Sequence, residues 1–387
     1  MKRPKQGLME DYASFATAGG ESSYRASARE SLLSADAVVF DCDGTLVDIR
    51  NSYDEAIFAT TSLIFRALTG IMLPRERLRE ALFELRRSGG FNRDTDSVYC
   101  LLLALLTGLP DSRLGPVASR LSDWHENPSL IALLACPKAA EYGEDALRES
   151  LADVLSYVDD RGVRSVEEGV ERLYRGKKKG QLIAKIVQEM RYSEEDPGPV
   201  SRIFDEMYLG SELYSRASGE RPLLRLSRGL IANEKMIIDE ETVGFMKRRY
   251  GARLGLSTGR SRLEAEFVLS GLLKGFFAEA NATFTDDVLQ EYRRRKAEGT
   301  DVWPGKPDPY PLRRTLAAVA PRRGTVYVGD SMEDFIMASK MEGFEKDVHF
   351  VGVYGHTLWP HQTKRMFMEA GAAAVLHSVN ELKELLL

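Results

Sequence analysis

Carboxylates, a hydroxyl and a lysine follow short apolar segments at widely separated points of this chain. These candidate groups are Asp41, Asp43, Thr258, Lys306, Asp330 and Asp334. Carboxylates gathered at one site repel one another unless a cation lies among them, and a compact set of oxygen ligands suits Mg²⁺. This ion commonly shares its coordination with a substrate phosphate. The Lys306 ammonium, the Thr258 hydroxyl and the backbone amides beside Gly44 and Gly259 would bind such a phosphate.

The spacing of Asp41 and Asp43 favours phosphoryl transfer through a covalent intermediate. An aspartate at the tip of a strand can attack phosphorus and form an aspartyl phosphate. A second carboxyl two positions further on can protonate the leaving group and then activate water. The alternative interpretation is a turn at a strand end with two solvated acids. In the same way, Lys306 and Asp334 have an alternative as surface charges, and Ser257 competes with Thr258 as the binding hydroxyl.

Strands and helices alternate around these groups. The run Ala37–Phe40 is apolar at every position, which is typical of a strand buried on both faces of a parallel sheet. Further strands are predicted at Arg253–Ser257, Ala280–Phe284, Thr325–Val328, His349–Val353 and Ala373–Leu376, with helices between them. Such alternation predicts right-handed βαβ units and a parallel sheet with helices on both faces. The candidate groups would then meet at the carboxyl ends of the strands, where open α/β sheets bind their ligands.

Two other regions differ from this pattern. From Leu73 to Met236 the apolar residues recur at helical spacing, which predicts an all-helical insertion with a core of its own. Residues 1–36 are rich in Ser, Ala, Gly and Glu without strong periodicity, and we expect a loose helix or a partly ordered extension there.

Composition narrows the function classes. The 387 residues carry a formal charge of −5, which argues against a dedicated nucleic-acid binder. The longest apolar run, Val98–Leu106, is about half of the ~18 residues that a membrane-spanning helix needs. No apolar segment follows the basic residues at the N-terminus, and the only cysteines are Cys42, Cys100 and Cys136. We therefore expect a cytoplasmic protein that binds neither nucleic acid nor membranes.

Four motifs give a family resemblance. The segments V-V-F-D-C-D-G-T-L-V-D, L-S-T-G-R, G-K-P-D-P and V-G-D-S-M-E-D resemble, in order, the four motifs of the haloacid dehalogenase (HAD) superfamily. They span the whole α/β part, and the helical insertion and the first 36 residues contain none of them. The resemblance implies a HAD-like Rossmannoid core at residues 37–52 and 240–387. It also implies a helical cap domain at residues 53–239, preceded by an N-terminal extension at residues 1–36.

The resemblance also implies a role for each matching residue. Asp41 matches the nucleophile and a Mg²⁺ ligand, and Asp43 matches the general acid/base, with its main-chain carbonyl on the metal. Thr258 matches the phosphate-binding hydroxyl, and Lys306 matches the lysine that stabilises the phosphoaspartate. Asp330 matches a direct metal ligand, and Asp334 a second one, direct or through water.

Two features place the sequence within the superfamily. Its phosphatases and phosphomutases have an aspartate at the position of Asp43, whereas its dehalogenases do not. The insertion follows the first motif, as in the C1 caps of subfamily I near phosphoglycolate phosphatase, although it is much larger than usual. The resemblance therefore implies a Mg²⁺-dependent phosphatase that hydrolyses a small phosphorylated metabolite through an aspartyl phosphate.

Other functions and one cap residue remain open at this point. A phosphomutase of the β-phosphoglucomutase type would share the same motifs, and so would a binding protein that works through its cap and keeps a vestigial core. The glycine-rich segment Gly89–Arg93 is a candidate substrate loop, in which Arg93 would bind a carboxylate or phosphate. Its alternative is a helix–helix turn with a solvated arginine. The sequence predicts no oligomeric state.

Overall fold

A computed structural model describes most of the chain. The described residues are 11–17, 19–73, 75–91, 93–126, 143–191, 198–341 and 347–387. The chain divides into two compact units, one made of the chain up to Arg50 together with Glu234–Leu387, and the other of Asn51–Asn233. The sequence analysis placed these boundaries before residue 53 and after residue 239.

An eight-stranded sheet forms the centre of the first unit. In spatial order its strands are β1 (Tyr12–Ala16), β2 (Glu21–Arg25), β10 (Ala374–Leu376), β9 (Asp347–Val353), β8 (Gly324–Gly329), β3 (Ala37–Phe40), β6 (Leu254–Ser257) and β7 (Ala282–Thr283). From β10 to β7 every neighbouring pair is parallel. The central strand β3 lies between β8 and β6, with Phe40 opposite Val328 on one side and Leu256 on the other. Its carboxyl end therefore lies between the ends of two other parallel strands.

Helices cover both faces of this sheet. They are α1 (Arg29–Ser34), α10 (Glu240–Tyr250), α11 (Arg262–Phe276), α12 (Thr285–Ala297), α13 (Tyr310–Val319), α14 (Met332–Ser339), α15 (Pro360–Ala370) and α16 (Leu382–Leu386). On one face Val39 belongs to a buried cluster with Leu312 of α13 and Met337 of α14. On the other face the ring of Phe40 lies 5.8 Å from that of Phe276 in α11. The predicted fold class, a mostly parallel α/β sheet with helices on both faces and an added helical region, is confirmed.

The N-terminal extension is structured differently from the prediction. Residues 1–10 and 18 lie outside the described part. Where a loose helix or a partly ordered extension was expected, β1 and β2 form an antiparallel hairpin, and the helix α1 follows it. Strand β2 also pairs antiparallel with β10, with Ser23 opposite Val375. Ser22 and Ser23 are fully buried, and their hydroxyls bond to Glu381 and Ser14 respectively. The sequence did not predict β2 because its buried side chains are polar and are satisfied by hydrogen bonds rather than by apolar contacts.

A two-stranded ribbon lies where the chain leaves the first unit and later re-enters it. Strand β4 (Val47–Asp48) pairs antiparallel with β5 (Lys235–Met236). The sequence analysis predicted neither strand, because two residues are too few to show a period of alternation.

Helices make up the second unit among its described residues. They are α2 (Tyr53–Thr69), α3 (Arg75–Arg87), α4 (Asp94–Thr107), α5 (Asp111–Glu126), α6 (Glu144–Leu155), α7 (Val163–Tyr174), α8 (Lys178–Met190) and α9 (Gly198–Ser218), the last interrupted at Gly210. The apolar run Val98–Leu106 is the buried part of α4, which is surrounded by the other helices. None of the helices in the described ranges is long and apolar enough to cross a lipid bilayer.

Candidate active site

Asp41 and Lys306 form a buried ion pair at the carboxyl end of β3. The N–H of Asp41 donates to the carbonyl of Val328 in β8 at 2.8 Å, which continues the parallel pairing one residue beyond β3. Nζ of Lys306, in the loop before α13, lies 2.5 Å from Oδ1 of Asp41. Each of the two side chains is only 7% exposed. Residues 265 positions apart in sequence thus meet at the strand end, as the sequence predicted.

Asp334 shares Lys306 with Asp41. Its Oδ1 lies 2.7 Å from Nζ of Lys306 and accepts a 2.5 Å hydrogen bond from the hydroxyl of Tyr327. Its Oδ2 accepts a 2.7 Å bond from the hydroxyl of Ser331, which in turn caps the first turn of α14. The N–H of Ser331 also donates to Oδ2, at 3.3 Å. Four contacts thus hold this fully buried carboxylate in place, so the start of α14 fixes the position of Lys306.

The turn after β3 brings Gly44 against Asp330. Gly44 has a φ of 65°, and a Cβ at this position would overlap the carboxylate of Asp330. Glycine is therefore required for two reasons, its left-handed backbone and its close approach to Asp330. The N–H of Gly44 donates to the carbonyl of Val47 at 2.8 Å. This amide is therefore used inside the turn, and the predicted binding of phosphate by the amides beside Gly44 stays a prediction.

Negative charge exceeds positive charge at this strand end. Ligand oxygens of Asp41, Asp330 and Asp334 all lie within 4.8 Å of one another. Burial, followed by repulsion from the Asp334 carboxylate, raises the pKa of Asp41 to about 8, although Lys306 acts in the opposite direction. Burial lowers the pKa of Lys306, but the carboxylates of Asp334 and Asp41 outweigh it and raise that pKa well above its ordinary value.

A divalent cation fits this donor set. The available donors are carboxylate oxygens, and one ammonium cannot balance three carboxylates at such short distances. Small, hard cations such as Mg²⁺ bind in sites of one or two carboxylates that leave room for water and substrate phosphate. Asp41 and Asp330 meet this description, and Asp330 is partly exposed.

Asp43 is bound by an arginine to which the sequence analysis gave no role. Nε of Arg260 donates to Oδ1 of Asp43 at 2.6 Å, and its Nη2 contacts the same oxygen. Nη2 also lies 2.7 Å from Oε2 of Glu234. The side chain of Arg260 is fully buried, and that of Glu234 is 1% exposed. The position of Arg260 at the end of the L-S-T-G-R segment was a usable signal, but Glu234 stands in no recognisable pattern.

Thr258 and Gly259 lie at the end of the neighbouring strand β6. The N–H of Thr258 donates to the carbonyl of Thr283 at 3.0 Å, and its hydroxyl oxygen accepts a 3.1 Å bond from the N–H of Arg260. Accepting this bond leaves the hydroxyl proton able to donate to a further acceptor. A Cβ at Gly259 would meet only open space. The predicted hydroxyl and glycine therefore occupy a strand end next to that of β3.

Arg93 belongs to the second unit. It directly precedes α4, with extended backbone angles, and its carbonyl accepts the N–H of Asp96 at 2.9 Å. Its side chain is half-buried, and Asn92 beside it lies outside the described residues. The predicted substrate role of Arg93 stays a prediction.

Comparison with known proteins shows likeness at the level of structure. No protein-family model matches the sequence, and no curated protein sequence does either. A solved target of the Northeast Structural Genomics Consortium, ZR25, has a TM-score of 0.59 at 18% identity, covering 91% of this chain and 98% of its own. Phosphatase Tt82 from Thermococcus thioreducens has a TM-score of 0.46 at 22% identity, with 85% and 98% covered. A hydrolase from Pseudomonas syringae has a TM-score of 0.38 at 14% identity, with 90% and 96% covered. At these identities the likeness to ZR25 shows a common fold.

Proposed function

We propose that this protein is a HAD-superfamily phosphatase that hydrolyses a small phosphorylated metabolite. The observation that carries the proposal is the buried contact of Lys306 with both Asp41 and Asp334, beside the carboxylate of Asp330. A structural ion pair needs one acid for each base, and it would not place an excess of carboxylates at the open end of a parallel sheet. The four motifs and the HAD-like fold support the same conclusion.

The chain's own residues account for the first chemical step. Asp41 attacks the phosphorus atom, and one of its oxygens forms a bond to phosphorus while the bond to the leaving oxygen breaks. Lys306 fixes the orientation of the attacking carboxylate through Oδ1 and offsets negative charge on the phosphoryl group. The Thr258 hydroxyl donates to a phosphoryl oxygen. A Mg²⁺ ion held by Asp41, Asp330 and the main-chain carbonyl of Asp43, with Asp334 direct or through water, would supply further charge neutralisation.

Asp43 carries the protons in both steps. As a carboxylic acid it gives its proton to the leaving oxygen, and the resulting carboxylate then takes a proton from water. That water attacks the phosphorus of the aspartyl phosphate, which releases inorganic phosphate and restores Asp41. The side chain of Asp43 is 23% exposed, compared with 7% for Asp41, and exposure of this kind suits a group that exchanges protons with substrate and water.

The helical insertion would then act as the cap that selects the substrate. It enters the chain between the segment of Asp41 and that of Thr258, which is the position of a C1 cap. In this proposal the core supplies the chemistry and the insertion supplies contacts to the non-reacting part of the metabolite, with Arg93 as one candidate contact.

Hydrolysis of p-nitrophenyl phosphate by the purified full chain tests the proposal. We expect turnover with Mg²⁺, none after chelation, and inhibition by Ca²⁺, whose larger and looser coordination shell alters the in-line alignment. The Asp41→Asn variant, purified in the same way, controls for contaminating phosphatases. A panel of phosphorylated sugars, acids and nucleotides then identifies the substrate. Isomer formation without phosphate release would indicate a phosphomutase, and the absence of any turnover would leave only a binding role.

A further inference from the structure

Arg260 is a fully buried charged residue just after β6. Its guanidinium is fully buried and lies between two carboxylates, those of Asp43 and Glu234. Removing a guanidinium from water is costly unless its donors are paired, so this group is held in place by both acids. One acid would already neutralise its charge, and the second therefore calls for an explanation other than charge balance.

The backbone around Arg260 is also fixed. Its N–H donates to the hydroxyl of Thr258, and its carbonyl accepts the N–H of Thr285 at 2.8 Å. The next residue, Ser261, caps α11 in a reciprocal pair of hydrogen bonds with Glu264. The side chain of Arg260 therefore starts from a rigid junction between β6 and α11, and a rigid start gives its guanidinium a defined direction.

The contacts of Arg260 with Asp43 are one-sided. Nε donates a hydrogen bond to Oδ1 of Asp43, and Nη2 makes an ionic contact with the same oxygen. A charged hydrogen bond and an ionic contact on the same oxygen together restrict rotation of the carboxyl group. On the far side, Glu234 binds Nη2 and prevents the guanidinium from turning away.

We infer that Arg260, anchored by Glu234, is a positioning residue that holds Oδ1 of Asp43 so that Oδ2 delivers the proton to the leaving oxygen. This inference rests on the proposed phosphatase function. The proton moves from Oδ2 to the leaving oxygen as the phosphorus–oxygen bond of the substrate breaks and the bond to Asp41 forms. Arg260 touches neither substrate nor phosphorus in this arrangement, and its effect on the reaction passes through Asp43.

Leaving-group dependence separates positioning from general support of the fold. An alkyl phosphate needs a proton on its leaving oxygen, whereas p-nitrophenolate departs without one. The kcat/KM for the alkyl phosphate divided by the kcat/KM for p-nitrophenyl phosphate therefore reports proton delivery in the first step. The later hydrolysis of the aspartyl phosphate does not enter kcat/KM. In Arg260→Lys, which keeps the charge but loses the two-nitrogen fork, we expect this ratio to fall by about 10²-fold.

The matched control is Arg262→Lys, because Arg262 is 43% exposed, lies two residues further on and pairs with Glu279. We expect its ratio to equal that of the wild type. A folded Arg260→Lys protein that loses activity equally on both substrates would overturn the inference, since equal loss indicates structural support alone. Retained p-nitrophenyl phosphatase activity is the internal measure that the active site has folded.

Two further variants keep the inference open to disproof if Arg260→Lys does not fold. Glu234→Gln removes the anchoring charge with little change in shape, and we expect the ratio to fall by roughly fivefold, the size of one ordinary net polar contact. An unchanged ratio would overturn the anchoring role. In an Asp43→Asn background, Glu234→Gln should produce no further fall, and an additive effect would show that Glu234 does not act through Asp43. A wild-type enzyme inactive on both substrates would instead contradict the proposed phosphatase function.

Discussion

Glu206 in the helical unit and Asp41 in the α/β unit are both buried carboxylates, but different groups surround them. Glu206 is fully buried in α9 and accepts backbone N–H groups from Leu223 at 2.5 Å, Leu224 at 2.6 Å and Arg225 at 2.8 Å. Neutral donors thus surround one negative charge. The arrangement ties the loop after α9 to the helix, and it is complete as it stands.

Asp41 has charged neighbours instead. It shares one lysine with Asp334 and lies beside Asp330, so negative charge accumulates around Asp41. At Glu206, by contrast, neutral amides surround a single charge. Such an arrangement stabilises the chain poorly by itself, and it becomes favourable when a cation or a reacting group balances it. The difference teaches that the partners of a buried acid, more than its burial, distinguish a structural carboxylate from one proposed to be catalytic.

Removing the charge of Asp41 should have the largest effect. Asp41→Asn should lower kcat on p-nitrophenyl phosphate by about 10³-fold or more, because an amide is a poor nucleophile towards phosphorus. Its melting temperature in metal-free buffer should be unchanged or higher, since the substitution removes a carboxylate from a crowded cluster. Retention of a substantial fraction of wild-type turnover would remove Asp41 from the nucleophile role.

Glu206→Ala should show the reverse pattern, with a loss of stability and little loss of chemistry. Three buried N–H groups would lose their acceptor, which should lower the free energy of unfolding by about 2–4 kcal/mol. Urea titration measures this change, and Glu212→Ala, at an exposed position of the same helix, is the control. At urea concentrations below the unfolding transition, turnover of p-nitrophenyl phosphate should stay within about twofold of wild type. Equal stability of the two variants would contradict the structural interpretation of Glu206.

The pH dependence of stability sharpens the comparison further. The native pKa of Asp41 lies near 8, compared with an ordinary value of 3.8. Between these two pH values, Asp41 is protonated in the metal-free native state and ionised in the unfolded state. The contribution of Asp41 to the free energy of unfolding should therefore fall as the pH rises towards 8. Urea titrations in chelator at pH 5.5, 6.5 and 7.5, with Asp41→Asn as reference, isolate this contribution. Parallel pH profiles for the two proteins would rule out the raised pKa.

Arg93→Ala should have the smallest effect, confined to substrate binding. If the helical unit selects the substrate, this change should raise KM for the physiological phosphate by several-fold and leave kcat on p-nitrophenyl phosphate unchanged. Arg87→Ala is the control, since Arg87 lies in the same unit, is 49% exposed and pairs with Glu84. Identical kinetics for Arg93→Ala and wild type on both substrates would remove Arg93 from the site.

The sequence predicted the elements that carry the strand ends most accurately. Strand β3 begins at Ala37 as expected, and β8 extends the predicted Thr325–Val328 by one residue at each end. Fully apolar β-branched runs and glycine-containing turns are local signals, and they place Asp41 and Asp330 without any knowledge of tertiary contacts. The approach of Lys306 to Asp41 followed from the rule that parallel strands present their carboxyl ends at one edge.

The contacts that were missed depend on tertiary structure. Glu234 and Arg260 meet only after β6 has been placed beside β3, and no spacing in the sequence reports that contact. The hairpin of β1 and β2 was not predicted, because its buried Ser22 bonds to Glu381 near the other end of the chain. In both cases a polar group is paired with a partner far away in sequence, and periodicity does not record such pairs.

The short ribbon of β4 and β5 has a consequence for how the chain folds. Central strand β3 cannot pair with β6 until the long segment between them has brought its ends together, and the entropy lost on closing a disordered loop grows with its length. Val47 lies opposite Met236 in the ribbon, and inside the helical unit the side chain of Asn233 bonds to the carbonyl of Asn51. Once the helical unit has formed, its two ends are adjacent. Pairing β3 with β6 then costs only the entropy of closing a short loop. Helix formation in the insertion should therefore precede assembly of the central sheet and accelerate it.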